Sequence, residues 1–79
     1  MLMMQNCFTE YVTRNNECFK IIRVYDEDRR LSLIQVLNSS NRVYKVLFYD
    51  ETSRLSNTTI YNTETGKQIK NITYKKDGK

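Results

Sequence analysis

The chain reads as all-β: an antiparallel meander of about six strands, assembled from β-hairpin repeats on a 24-residue period and bent into a curved sheet or small barrel-like form. Three observations carry that reading. The octapeptides Tyr25-Asp26-Glu27-Asp28-Arg29-Arg30-Leu31-Ser32 and Tyr49-Asp50-Glu51-Thr52-Ser53-Arg54-Leu55-Ser56 agree at six of eight positions, and their separation is that of an array of one supersecondary unit. Polar clusters rich in Asn, Ser, Thr and Asp recur about every twelve residues, as turn chemistry requires. The segments between them carry Val, Ile, Thr, Tyr and Phe at strand lengths.

In order, the strands fall at 7–13, 18–25, 31–37, 43–49, 55–61 and 67–74. The first pair turns near Asn15 and Asn16, which sets Cys18 opposite a residue near Tyr11 and Cys7 opposite one near Ile22, so the two thiols stay beyond disulfide reach. Residues 26–30 and 50–54 are loops in which Asp26 and Asp50 cap backbone amides, while Arg30 and Arg54 pair with Glu27, Glu51 or a neighbouring acid. Clusters 38–42 and 62–67 close the alternate turns. Helix competes at 29–38, where Leu31, Ile34 and Leu37 have helical spacing. The matching residues Thr58, Thr59, Ile60 and Tyr61 are poor helix formers, and copies of a repeat share one conformation. Connections this short leave no room for a parallel crossover, so neighbouring strands run antiparallel.

Strand 18–25 sets Phe19, Ile21 and Tyr25 against Cys18, Ile22 and Val24, and strand 43–49 sets Val43, Leu47 and Tyr49 against Tyr44, Val46 and Phe48. Both sides of the middle strands are therefore apolar. A sheet with water on one face alternates, so these strands need cover on both faces or a sheet that curls on itself. Tyr25, Tyr49 and Tyr74 are expected to stack in a ladder.

The whole of 1–79 forms one small domain, in the size range where oligomerisation often completes a core. There is no His, which removes the commonest general base and any conventional Ser-His or Cys-His nucleophile, and Thr65-Gly66-Lys67 lacks the spacing of a phosphate loop. The reading is non-enzymatic, without cofactor or metal. As a catalytic pair, Asp26 and Asp50 stand about 10 Å apart in one row rather than converging on a pocket. Cys7 and Cys18 lack redox or zinc spacing and fit free thiols in a reducing cytoplasm. Met1-Leu2-Met3-Met4 lacks the pattern of a signal peptide, and no apolar run is long enough for membrane insertion as a helix.

Tyr61-Asn62-Thr63-Glu64-Thr65-Gly66-Lys67 followed by Tyr74-Lys75-Lys76-Asp77-Gly78-Lys79 resembles a family of short bacterial repeats of unknown function, abundant in phytoplasmas, that alternate Tyr…Thr-Gly-Lys and Tyr…Asp-Gly-Lys turns. The Tyr-Asp…Arg-Leu pattern at 25–31 and 49–55 is similar to the YD repeats of Rhs-type proteins. Both resemblances imply hairpin arrays, and neither carries over a catalytic or ligand residue.

The function expected is protein interaction or assembly, as a homodimer or with another protein, through Phe19, Ile21, Tyr44, Val46 and Phe48. The alternative is a basic sheet that grips nucleic acid with Arg23, Arg42, Lys45 and Lys70 beside the Tyr ladder, which the net charge of +4 permits.

Overall fold

In a computed structural model, described here for residues 6–74, the chain forms one six-stranded antiparallel sheet whose strands are neighbours in space in the order they occur in sequence. The strands are β1 (Cys7–Arg14), β2 (Glu17–Tyr25), β3 (Leu31–Leu37), β4 (Val43–Tyr49), β5 (Leu55–Tyr61) and β6 (Gln68–Thr73). The sheet is slightly curved and does not close, so the barrel-like alternative is corrected to an open sheet with two edges, β1 and β6. Closure requires the first and last strands to pair, and here each pairs on one side only.

Two kinds of connection join the strands. Asn15 and Asn16 both have left-handed backbones, with φ of 51° and 65°, and make the two-residue turn whose twist matches the flanking strands. The pairing Arg14↔Glu17 follows directly, which places Cys18 opposite Thr13 and Cys7 opposite Val24. These partners differ by two residues from the sequence expectation because the turn is centred one residue later, between Asn15 and Asn16, and the thiols remain far apart.

The other four connections are longer and share one pattern. Asp26, Asn38, Asp50 and Asn62 each stand first in a loop, and their Oδ1 atoms accept from backbone N–H groups inside it: Asp28 and Arg30 at 2.9 Å, Ser40 and Arg42 at 2.9 and 3.0 Å, Thr52 and Arg54 at 2.9 and 3.1 Å, and Glu64 and Thr65 at 2.8 and 3.1 Å. A short carboxylate or amide holds the loop as a second backbone strand would. Each loop also has one left-handed residue near its end: Arg29, Asn41, Ser53 and Gly66, with φ between 66° and 78°. Only the last is a glycine, the residue that adopts this conformation without steric cost.

Every one of these four hairpins slips register once, after Val24, Val36, Phe48 and Ile60. The slip leaves one extra residue on the outgoing strand, as a β-bulge does. The β1–β2 hairpin, with its two-residue turn, has none.

The sheet is one layer thick. No described side chain falls below 2 % exposure, and among apolar residues only Leu37 and Val46 are buried, at 9 % and 7 %. The radius of gyration, 14.0 Å, exceeds the roughly 12 Å of a compact chain of this length. The cover that the sequence demanded for both faces is therefore not supplied by the described residues themselves.

Candidate interaction surface

Paired strands point opposed residues to the same side, so the registers sort the side chains into two faces. The first face holds the rows Val12, Phe19; Glu10, Ile21, Val36, Lys45, Ile60, Lys70; and Phe8, Arg23, Ile34, Leu47, Thr58, Ile72. Its last row is Tyr25, Leu31, Tyr49 and Leu55. The second face holds Val24, Leu33, Phe48, Asn57 and then Ile22, Gln35, Val46, Thr59.

The predicted interface residues divide between the two. Phe19 and Ile21 lie on the first face, and Tyr44 joins them there, its ring 6.2 Å from that of Phe19. Simple alternation places Tyr44 with Val46 and Phe48, and that assignment is corrected. The bulge opposite Leu37 inserts Tyr44 as the extra residue and turns it to the Phe19 side, leaving Val43 on the Val46 side. Val12, Phe19, Ile21, Val36, Tyr44 and the stem of Lys45 line one open depression. Val46 and Phe48 remain on the second face, beside Gln35, Asn57 and Thr59. Of these, Asn57 keeps a buried Oδ1 without a hydrogen-bond partner.

The first face carries the paired rings, interrupted by Glu10, Arg23, Lys45 and Lys70. Phe8 closes one corner against Tyr25, edge to face at 5.6 Å. The Tyr ladder is corrected to an alternating one: register puts Leu31 between Tyr25 and Tyr49, and Leu55 beyond it. Rings on alternate strands stand about 10 Å apart, so a leucine fills each gap. Tyr74 extends the row and donates its hydroxyl to Thr58 Oγ1 at 3.3 Å. The rest of the third Tyr-led copy, 75–79, lies outside the described residues.

The cations proposed for nucleic acid are engaged or dispersed. Arg23 Nη1 sits 2.6 Å from Glu10 Oε1. Arg42 Nη1 donates at 3.0 Å to the carbonyls of both Thr63 and Glu64, tying its loop to the next one at the same end of the sheet. Lys45 stands over the Tyr44 ring, 5.7 Å from its centroid, and Lys70 is two strands away across Ile60. At the opposite end Arg30 repeats the Arg42 arrangement. It donates to the Glu51 carbonyl at 2.7 Å and lies 3.9 Å from Asp28, not beside Glu27. These arginine ties between alternate loops were not legible in the sequence, because they grip carbonyls, which every residue has.

Among the described residues no group of three or more His, Cys, Asp or Glu is placed to hold a metal, and no helix is long and apolar enough to cross a membrane. No family model matches the chain, and no curated protein or solved structure is significantly similar to it.

Proposed function

We propose that the chain is a non-enzymatic interaction module that associates with a second copy of itself, face to face, through the side of the sheet bearing Phe19, Ile21 and Tyr44. One observation carries this reading: an apolar cluster of Val12, Phe19, Ile21, Val36 and Tyr44 lines an open depression with nothing over it among the described residues of a single-layer sheet. Uncovered apolar patches of this extent mark interfaces. Six strands at about 4.8 Å and seven residues at about 3.4 Å give a face of about 700 Å². Two such faces bury about 1,400 Å², inside the range of specific protein–protein interfaces. The resemblance to hairpin-repeat arrays agrees with an assembly role, and a reducing cytoplasm suits the exposed Cys7 and Cys18.

The test is light scattering of the wild type and of Ile21→Glu, which sets a carboxylate in the middle of the depression. The wild type is expected to dimerise by high micromolar concentration, and Ile21→Glu to lose that facial dimer and be lighter than the wild type at every concentration, with its far-ultraviolet spectrum intact. A monomeric wild type overturns the reading. The nucleic-acid alternative is tested by titrating single-stranded DNA and RNA: affinity that falls steeply between about 50 and 200 mM salt would support it. The engagement of Arg23 and Arg42 within the chain weighs against it.

A further inference from the structure

Four of the five most exposed large apolar side chains lie on or beside the two edge strands. Phe8 and Tyr11 on β1 are 58 % and 65 % exposed, Ile69 on β6 is 62 % exposed, and Tyr74 follows β6 at 40 %. Edge strands in soluble proteins are ordinarily blunted by charge, proline or cover. Here β6 carries a single charge, Lys70, and β1 carries Glu10 and Arg14.

The two edges are complementary. With six strands and every neighbour antiparallel, β6 runs opposite to β1. A second copy displaced sideways without being turned over therefore offers its β1 antiparallel to β6, with like faces on the same side. The hydrogen-bonding phase of each edge is also fixed. Tyr74 N–H bonds Ser56 O at 3.0 Å, so Lys70 and Ile72 turn their backbone groups inward to β5, and Asn71 and Thr73 turn theirs outward. Asn6 O accepts from Tyr25 N–H at 2.9 Å, so even-numbered residues of β1 face β2 and Cys7, Thr9, Tyr11 and Thr13 face out.

These phases leave few registers. With Asn71 opposite Thr9, Lys70 meets Glu10 and Ile72 meets Phe8, so the one carboxylate of β1 faces the one ammonium of β6 and an isoleucine faces a ring. Two residues either way, Ile72 falls opposite Glu10, or Lys70 opposite Phe8.

We infer that β1 of one copy adds to β6 of the next in the Asn71–Thr9 register, making a head-to-tail assembly. This rests on the reading of the chain as self-associating, but it uses the backbone edges where that reading uses the apolar face. Each added copy presents the same free edges, so the contact propagates instead of closing.

Proline at an outward-facing position deletes an edge N–H and leaves the sheet's own ladder intact. Sedimentation velocity is expected to show wild-type particles growing past the dimer with concentration, while Thr9→Pro and Asn71→Pro each stop at the dimer. Mixing the two variants is expected at least to double the particle mass, because one retains a working β6 edge and the other a working β1 edge. Lys70→Glu, which disturbs no intramolecular bond described, is expected to weaken growth about threefold at low salt. A mixture no heavier than its parts overturns the proposal. So does growth abolished by Thr9→Pro alone, which would mean β1 pairs with β1. Dimers that never grow overturn the edge contact while leaving the facial one, and a wild-type monomer overturns both.

Discussion

The β1–β2 hairpin and the four hairpins after it reach the same antiparallel pairing by different routes. The first spends two left-handed asparagines on a two-residue turn, keeps its register throughout, and leaves β1 almost wholly exposed. The others use an Asp or Asn as an internal acceptor, one left-handed residue, and a bulge. The difference teaches that loop chemistry sets more than local geometry. Each bulge resets which side of the sheet the outgoing strand addresses, and the one before Lys45 delivers Tyr44 to Phe19. The interaction face is thus assembled by the loops as much as by the apolar pattern.

Four substitutions break or sharpen this contrast, in falling order of effect, with Asp28→Ala as the control for the first. Asp26→Ala removes the acceptor for two backbone amides and is expected to cost about 1–2 kcal/mol, read as a lowered urea midpoint. Asp28→Ala, whose side chain caps no amide, is expected to leave that midpoint within the error of measurement. Ser53→Gly relieves a left-handed serine and is expected to stabilise by about 1 kcal/mol, again by urea denaturation. Asn16→Gly acts on the first hairpin, where Asn-Gly is the preferred pair for such a turn, and is expected to stabilise by about 0.5 kcal/mol, read as a raised melting temperature. Arg23→Gln separates a part-exposed ion pair and is expected to cost less than about 0.5 kcal/mol, an effect that vanishes at high salt. A loss as large as that of Asp26→Ala would show that side-chain pairing, not the two-residue turn, holds the first hairpin.

The strands were legible because turn residues bracket β-forming runs on a regular spacing, and all six fall within two residues of their expected bounds at every end. The capping by Asp26 and Asp50 was legible for the same reason. The bulges were not: Arg29, Asn41 and Ser53 occupy left-handed positions where a glycine would have announced them. With both faces apolar, hydrophobic alternation also gave no internal check on phase, so Tyr44 was grouped with Val46 and Phe48. The edges are not legible in the sequence as a matched pair, because Glu10 and Lys70 lie at opposite margins of the sheet, and only the backbone bonds of Tyr25 and Tyr74 fix which groups point outward.

Because each strand touches only the strands before and after it, the molecule is a zipper and not a nucleus wrapped by a shell. Its pairings are all local in sequence, which favours fast folding for a β protein. Its order is also graded, since a unit held on one side opens at less cost than one held on both. Amide exchange should therefore be slowest in β3 and β4 and quicken outward through β2 and β5. Clamping an outer strand should then slow exchange step by step toward the middle, so the sheet registers a contact at its margin as a change in how far inward it breathes.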